Sequence, residues 1–396
     1  MSGNHDVVII GGLGHIGLPF GLVLAERGLH VSLYDINLDA REAVARGEMP
    51  FYEEGAAELL DRHLGERLHI AEDISEVARC DTIVITIGTP LDGYLNPRIE
   101  PLLRVVDSMA SHMRDGQLVL LRSTVTPGTA ELLHAALRRS VDAHVAYCPE
   151  RVVQGSMIEE ITTLPQIISG CDAPALALAR DLFRHLDIQM IETTPREAEF
   201  AKLYCNAWRY ITFAAANQFY MLAESDGLNF ERIRDAMTRD YARMRDFPRP
   251  GFAAGPCLMK DTMQLAAYAR RGFELGQAAM FINEGLAAFA VDQLEASLWG
   301  SLVGRRIGIL GMAFKAGSDD IRDSLSYKIR KLLRSRGAEV ACVDEHVSSD
   351  PELRPLADVL GWAEGLVVGT PHAAYRGIET PKGVPVVDVW NVTRTQ

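Results

Sequence analysis

The feature that most constrains the fold is a glycine turn between two apolar strands near the N-terminus. The segment reads VVIIGGLGHIG, continues as the helical stretch LPFGLVLAERG, and then as HVSLYDIN, which contains Asp35. An apolar strand, a glycine turn, a helix and a second strand that ends in an acid are typical of the first half of a doubly wound parallel sheet. The chain is therefore predicted to begin with an α/β domain.

The same turn predicts a ligand. Gly12, Gly14 and Gly17 form the pattern G-x-G-x-x-G ahead of Asp35. Such glycines let a pyrophosphate approach the N-terminus of the helix, and the acid can hydrogen-bond both hydroxyls of a ribose. Because a carboxylate repels a 2′-phosphate, NAD is favoured over NADP, although Arg41 could serve either ribose. The alternative is a turn with a purely structural role.

Strand and helix signals alternate along the first half of the chain. Strands are indicated at 81–88, 118–124 and 143–150, and a long Ala-rich segment then predicts one helix ended by Gly227. A second helical block at about 257–298 leads to GRRIGILG, where strand and glycine turn return. The predicted fold is α/β, with two Rossmann-like doubly wound domains joined by a long central helix and a helical middle domain. The domain boundaries are placed at 1–195, 196–300 and 301–396.

Composition restricts the partners. A net charge of -13 over 396 residues argues against a nucleic-acid surface, because phosphate binding depends on Lys and Arg. Neither a secretory signal nor a membrane span is indicated, so a cytoplasmic enzyme is expected. The six cysteines are scattered without a CxxC pair, which predicts neither a metal site nor a disulfide framework.

One cysteine has surroundings that indicate chemistry. Cys257 lies in PGFAAGPCLMKD, near a predicted helix start, where the helix dipole and backbone N–H groups stabilise a thiolate. Lys260 and Asp261 follow at positions i+3 and i+4, on the same helix face. The segment alone is compatible with a buried core cysteine, a redox thiol or an enzyme nucleophile.

The long helix contains a second cluster. Lys202 and Asn206 share a helix face, and Glu199 lies one turn earlier, a pattern that by itself is typical of an exposed, salt-bridged face. However, only six of the 40 basic residues are lysines, and Lys202, Lys260 and Lys315 each lie in a distinct motif-like stretch. The segments STVTPGT and CPER follow predicted strands and would open at the carboxyl edge of the first sheet, where ligands of such folds bind.

Seven segments, taken in order, resemble the nucleotide-sugar 6-dehydrogenase family of UDP-glucose, GDP-mannose and UDP-N-acetylmannosamine dehydrogenases. They are GLGHIGLP, IGTPLD, STVTPGT, CPER, EAEFAKLYCNAW, GPCLMKD and GMAFKAGSDDIRDS. The resemblance covers nearly the whole chain. It implies an N-terminal NAD domain, a long central helix that forms a homodimer, and a C-terminal domain for the nucleoside diphosphate. It also implies oxidation of the sugar C6 alcohol to a carboxylate with two NAD, through a cysteine thiohemiacetal and thioester.

The resemblance implies roles for the residues at matching motif positions. The catalytic set is Cys257 as nucleophile, Lys202 and Asn206 as oxyanion stabilisers, Glu150 as general base, and Asp261 and Thr124 as groups that orient water. The cofactor set is Gly12, Gly14, His15, Ile16, Gly17, Asp35, Arg41, Thr89, Ser123 and Lys260. The substrate set is Arg151, Gln154, Gly255, Lys315, Arg322 and Arg243, the last reaching the neighbouring subunit.

The chain departs from the family near the expected sugar pocket. Ala254, Gly255 and Pro256 stand where many members have two glycines before the cysteine, and Gln154 replaces the acid of glucose-type members. Gln154 and Lys260 favour UDP-glucose, or glucose on dTDP, as the substrate. CPER instead resembles the enzymes that use a UDP-N-acetylhexosamine (mannosamine or glucosamine), and GDP-mannose is a further alternative.

Two other classes share parts of the pattern. A two-electron NAD dehydrogenase of the hydroxyacid or 6-phosphogluconate type also combines a Rossmann domain with helices, but it needs no thiol. A catalytically silent NAD-binding regulator or scaffold would leave the aligned cysteine, lysines and acids without a use. The full set of matched residues therefore favours the four-electron dehydrogenase.

Overall fold

The computed structural model describes residues 5–269 and 272–393. The chain divides into two compact units. Unit 1 ends at Cys205, and unit 2 begins at Asn206. Among the described residues, no helix is long and apolar enough to cross a membrane.

A parallel sheet forms the centre of unit 1. Its strands are β1 (His5–Ile10), β2 (Val31–Tyr34), β3 (Leu68–Ile70), β4 (Cys80–Ile85), β5 (Leu118–Leu121) and β6 (His144–Tyr147). Their order in the sheet is β3-β2-β1-β4-β5-β6. The order reverses between β1 and β4, so the loops after these two strands border the crevice in which such sheets bind ligands.

Helices cover both faces of this sheet. They are α1 (Gly17–Glu26), α2 (Leu38–Ala45), α3 (Ala56–His63), α4 (Glu100–Ala110), α5 (Thr129–Leu137), α6 (Met157–Thr163) and α7 (Ala173–Arg184). Side chains of β1 point alternately to the two faces, with Val7 and Ile9 in one buried cluster and Val8 and Ile10 in the other. A small parallel pair, β7 (Gln166–Ile168) and β8 (Met190–Glu192), follows β6 in sequence.

The long helix α8 (Pro195–Ser225) starts in unit 1, and its residues from Asn206 onward belong to unit 2. It ends just before Gly227, whose φ of 71° favours glycine, as predicted. The helices of unit 2 that follow are α9 (Phe230–Thr238), α10 (Leu258–Tyr268) and α11 (Glu274–Ser297). The predicted helical block at 257–298 thus consists of two helices.

A second parallel sheet lies in unit 2. Its elements are β9 (Arg306–Leu310), α12 (Leu325–Ser335), β10 (Glu339–Val343), α13 (Leu356–Trp362), β11 (Gly365–Val368) and β12 (Val386–Val387). The strand order is β10-β9-β11-β12. Helix α11 packs on this sheet through residues such as Leu294, which shares a buried cluster with Ile307 and Val367. The predicted α/β class, with Rossmann-like N- and C-terminal parts and helices between them, is confirmed.

Candidate active site

The turn between β1 and α1 has the shape that a dinucleotide requires. A Cβ on Gly12 would lie 2.7 Å from the carbonyl oxygen of Ile9, and a Cβ on Gly17 would overlap that of Gly11. Only glycine therefore lets the turn fold this tightly against the strand. The half-buried Asp35 follows β2 and accepts a hydrogen bond of 3.1 Å from the N–H of Leu13. A tight turn, a helix N-terminus and an acid at the second strand fit NAD.

Other predicted cofactor residues surround this turn. Ile16 is the N-cap residue of α1, and Gly14 lies in the turn before it. The ring of His15 stacks on that of Phe51, with 4.1 Å between centroids. Arg41 on α2 donates through Nη2 to the carbonyl oxygens after β3, at 3.2 and 3.3 Å. These bonds direct the guanidinium of Arg41 toward the backbone of residues 71 and 72.

Two loops meet at the carboxyl ends of β4 and β5. The hydroxyl of the buried Thr89 donates to the carbonyl oxygen of Thr124 at 2.5 Å. The hydroxyl of the buried Ser123 donates to the carbonyl oxygen of Ile87 at 2.7 Å. The two predicted cofactor residues therefore join these loops, and they fix the backbone of Thr124.

Glu150, the predicted general base, lies directly after β6 and is buried. One carboxylate oxygen accepts the N–H groups of Arg151 and Val152 at 2.7 and 3.0 Å, and the other contacts the guanidinium of Arg122. Arg122 is itself buried and lies 4.2 Å from the ring centroid of Phe20. Burial lowers the pKa of Arg122 to about 10, so its guanidinium keeps its positive charge at neutral pH.

Glu199 corrects the expectation of an exposed, salt-bridged face on α8. Its side chain is fully buried, and its two oxygens accept N–H groups of Gly128 and Ala130 at 2.5 and 2.8 Å. Burial raises the pKa of Glu199 against the opposing effect of these hydrogen bonds. The carboxylate connects the helix that carries Lys202 to the STVTPGT loop that carries Thr124.

The two substrate residues after Glu150 lie in the segment that leads to α6. Arg151 donates through its guanidinium to the carbonyl oxygen of Pro165. Gln154 is half-buried and precedes Gly155, whose φ of 90° is left-handed. The segment therefore turns sharply just after the predicted sugar contact.

Cys257 in unit 2 is the N-cap residue of α10, as its predicted place at a helix start required. The side chain of Cys257 is exposed to solvent. In contrast, burial raises the pKa of the Cys80, Cys148 and Cys171 thiols to about 12 and that of the Cys342 thiol to about 11. A thiol at a helix N-terminus is close to the positive end of the helix dipole. Cys257 is therefore more accessible for reaction than these four thiols, which are buried or, for Cys171, half-buried.

A buried carboxylate connects two predicted catalytic residues. Asp261 is fully buried on α10, and its N–H bonds to the carbonyl oxygen of Cys257 at 2.8 Å. Its two carboxylate oxygens accept from Nδ2 of Asn206 at 2.5 Å and from Nζ of Lys260 at 2.6 Å. The acid thus orients the amide of Asn206 and holds a cation close to the N-terminus of α10.

The loop before Cys257 packs against the turn after β9. Gly255 has a φ of 94°, and a Cβ there would overlap the ring of Phe314, the residue before the half-buried Lys315. Arg322 makes a bidentate ion pair with the buried Asp320, closest at 2.6 Å. Burial by itself would lower the pKa of Arg322, but Asp320 and the charge of the Cys257 thiolate raise it. The arginine therefore lies within electrostatic reach of the sulfur.

Each unit gathers a distinct part of the predicted set. Unit 1 contains the glycine turn, Thr124, Glu150 and Lys202, and unit 2 contains the cysteine, its lysine and acid, and the residues matched to the nucleotide. Arg243 is exposed in unit 2 and donates to the hydroxyl of Tyr241 at 3.2 Å. Its match to a group that reaches a neighbouring subunit stays a prediction.

Sequence reasoning missed three contacts made by or with these residues. Asp320 holds Arg322, Glu199 holds the loop of Thr124, and Arg122 faces Glu150. Arg122 carried a signal, because it is a charged residue at the end of the apolar run LVLLR. Contact between Arg122 and Glu150, 28 positions apart, depends on the adjacent strands β5 and β6 and could not be read from spacing.

Comparisons of sequence and of structure with known proteins all indicate the same family. Profiles of the UDP-glucose/GDP-mannose dehydrogenase family match residues 5–187 (NAD binding domain), 196–285 (central domain) and 308–395 (UDP binding domain). A UDP-N-acetyl-D-mannosamine dehydrogenase of Pyrococcus horikoshii is 31% identical, over 93% of this chain and 90% of that one. A UDP-glucose 6-dehydrogenase of Bacillus subtilis is 29% identical, over 86% and 79%. The solved structure of a UDP-glucose dehydrogenase from Pyrobaculum islandicum matches with a TM-score of 0.91 at 29% identity, over 98% and 94% of the two chains.

Proposed function

The chain belongs to the UDP-glucose/GDP-mannose dehydrogenase family, and we propose that it oxidises the C6 alcohol of a nucleotide sugar to the carboxylate in two steps. The observation that carries this proposal is the exposed Cys257 at the start of α10. In the first turn of that helix, Asp261 accepts hydrogen bonds from both Lys260 and Asn206. A two-electron alcohol dehydrogenation needs no thiol. A thiol so placed, beside cations, supports a reaction that passes through a covalent acyl intermediate.

In the proposed mechanism Cys257 divides the second oxidation into two easier steps. NAD, when bound, would accept a hydride in each of the two oxidations, and in the first the proton of the C6 hydroxyl is released to solvent. The Cys257 thiolate adds to the C6 aldehyde, so that an S–C bond forms and the carbonyl oxygen takes the negative charge. Lys202 and Asn206 are assigned to stabilise that oxyanion. Loss of the second hydride leaves a thioester on the sulfur.

Hydrolysis of the thioester requires an activated water. Glu150 is assigned to accept the proton of that water, whose oxygen bonds to C6 as the S–C bond breaks and the Cys257 thiolate leaves. The buried positive charge of Arg122 lies against Glu150, and two backbone N–H groups fix its orientation. Asp261 and Thr124 are assigned to orient the water. Per sugar, one water is consumed and two hydrides are transferred.

For the sugar, we propose UDP-glucose, or glucose carried by dTDP. This choice is supported by Lys260, which lies one turn after Cys257 on α10, and by Gln154 at the expected sugar pocket. UDP-N-acetylmannosamine is the second candidate, supported by the segment CPER and by a relative with that activity in its name. Initial rates of NAD reduction with UDP-, dTDP- and GDP-sugars test both candidates: the highest kcat/KM with an N-acetylated sugar would overturn the first.

The decisive experiment combines a product count with a cysteine substitution. Wild-type enzyme should form two NADH per nucleotide sugar, and Cys257→Ser should lose nearly all turnover, because serine is a far weaker nucleophile near neutral pH. Cys205→Ser is the matched control, since Cys205 is also exposed but has no assigned role. This control should keep wild-type turnover.

Two results would reject the proposal in different ways. One NADH per substrate would support a two-electron dehydrogenase of the hydroxyacid type. Unchanged turnover in Cys257→Ser would remove the cysteine from the mechanism, and the absence of turnover in the wild type with every nucleotide sugar would support a silent NAD-binding scaffold.

The proposal includes a homodimer in the cytoplasm. Large apolar side chains are exposed on α8 and α11, with Trp208 67% and Phe281 73% exposed. Burying such side chains against a second copy would remove them from water. Light scattering should give twice the mass of 43.6 kDa, and a strict monomer would contradict this part of the proposal.

A further inference from the structure

Glu53 is a buried carboxylate to which the proposed mechanism gives no role. It lies in the loop between α2 and α3 and is only 5% exposed. Its oxygen Oε2 accepts the N–H of Gly155 at 2.7 Å, and Oε1 accepts the N–H of Met157 at 2.6 Å. A residue a hundred positions earlier in the chain therefore holds the segment that follows Glu150.

Glu53 is one of three carboxylates that hold this segment. Glu150 accepts the N–H groups of residues 151 and 152, and Glu160 accepts the N–H of Val153 at 2.6 Å. Five backbone N–H groups between 151 and 157 thus end on carboxylate oxygens. Hydrogen bonds to ionised acceptors are stronger than those between neutral groups, so the path of the segment is defined by these acids.

Gln154 lies between two of these anchors. The residue before it is held by Glu160, and the residue after it is held by Glu53. Gly155 takes a left-handed φ of 90°, so the direction of the chain at Gln154 depends on the bond that fixes Gly155. A shift of the Gly155 amide would move the side chain of Gln154.

We propose that Glu53 is a positioning residue for the sugar, because it fixes the backbone on which Gln154 is presented. The inference rests on the proposed function, in which Gln154 contacts the sugar of the nucleotide-sugar substrate. Glu53 touches neither substrate nor cofactor in this assignment. Its effect is transmitted through the two amides of Gly155 and Met157.

The test replaces the carboxylate by the amide of equal size. In Glu53→Gln one oxygen can still accept, but the NH2 group then faces a backbone N–H, and one of the two bonds is lost. The KM for the nucleotide sugar should rise roughly tenfold, the change expected from losing one hydrogen bond to a charged group. The KM for NAD should stay unchanged. Glu54→Gln, the same substitution at the exposed neighbour, should keep both constants.

Amide hydrogen exchange of the peptide that covers 151–157 gives a readout independent of substrate. Exchange in this peptide should be faster in Glu53→Gln than in Glu54→Gln or wild type, while peptides of β1 and β4 stay protected. Unchanged exchange would overturn the positioning role, whatever the substrate. Faster exchange with an unchanged KM for the nucleotide sugar would also overturn it. Equal rises in the KM for the sugar and the KM for NAD would overturn it as well, because they would show that Glu53 only stabilises the fold.

Two further results separate this inference from the proposed function. If wild-type enzyme oxidises no nucleotide sugar, the proposed function fails and this assignment to the sugar fails with it, although the exchange result stands. If Glu53→Gln is insoluble, Glu160→Ala removes the acceptor of the Val153 N–H and is judged by the same two readouts. A wild-type KM for the sugar in that variant would overturn the proposal.

Discussion

The two Rossmann-like sheets use the same strand, turn and acid, yet the acids end in different environments. In unit 1, Asp35 follows β2 and accepts the N–H of Leu13 in the turn after β1. In unit 2, Asp344 follows β10 and accepts the N–H groups of Met312 and Ala313 in the turn after β9, at 2.6 and 2.9 Å. Both acids thus join a glycine turn to the neighbouring strand.

The difference lies in what covers each carboxylate. Asp35 is half-buried, and its other oxygen accepts the N–H of Asn37 at the protein surface. Asp344 is fully enclosed and pairs with Nε2 of the buried His372 at 3.0 Å. Asp35 is therefore the acid proposed to bind a ribose, whereas Asp344 stabilises the turn of its own unit. The local pattern alone does not distinguish the two roles.

The largest expected effect comes from replacing Asp344 and Asp35, one at a time, by asparagine. Asp344→Asn should cost about 2–4 kcal/mol of unfolding free energy in unit 2, because it breaks a buried pair with a histidine and removes a charged acceptor. Asp35→Asn should leave stability within about 1 kcal/mol and weaken NAD binding roughly tenfold. Urea unfolding followed by peptide-resolved hydrogen exchange, with NAD titration of each variant, checks both values. Equal losses of unfolding free energy in the two variants would contradict the proposal that Asp344 stabilises its turn whereas Asp35 binds NAD.

The glycines that begin the two turns give the second comparison. Gly11 and Gly311 have φ of 79° and 92°, so alanine strains both by about 1 kcal/mol. A Cβ on Gly311 would also lie 2.5–2.7 Å from Thr370, whereas one on Gly11 would lie 3.2 Å from Ile87. Gly311→Ala should therefore lose about 1–3 kcal/mol more than Gly11→Ala. The midpoints of thermal unfolding compare them, and a larger loss for Gly11→Ala would contradict the packing argument.

The smallest effect is a dependence on pH whose sign is opposite for two buried carboxyl groups, Asp344 in unit 2 and Glu199 in unit 1. Burial would raise the pKa of Asp344, but His372 and the two backbone N–H groups outweigh it and lower that pKa. Its stabilising effect is thus complete above the unfolded value and is lost as the pH falls below about 4. For Glu199 in unit 1 the pKa is raised, so its contribution decreases as the pH rises above about 4.3.

Peptide-resolved hydrogen exchange at several pH values measures this contrast. Protection of unit 2 should fall on acidification below about pH 4, and this fall should be smaller in Asp344→Asn than in the wild type. Glu199→Gln should remove a contribution of the opposite sign, so that the protection of α5 relative to wild type is higher above about pH 4.3 than below it. Changes in slope of the same sign for Asp344→Asn and Glu199→Gln, each relative to wild type, would contradict the assignment.

Much of the local structure was predictable because it depends on residues close in sequence. The turn with Gly12 and Gly17, the end of α8 before Gly227 and the place of Cys257 at a helix start all follow from local patterns. Glu199 did not follow, because the sequence shows only its helical neighbours. Its burial depends on α5, because its carboxylate accepts hydrogen bonds from the N–H groups of Gly128 and Ala130 at the start of that helix.

By itself, the sequence determined the α/β class, the glycine turn for NAD and the order of motifs that places the chain in its family, since strand, turn and helix signals are local. Tertiary structure alone decided which charges meet. Arg122 and Glu150 come together across adjacent strands, and Asp344 is enclosed by His372. Glu53 reaches two amides a hundred positions away. Such pairings depend on packing between distant elements, which no local spacing encodes.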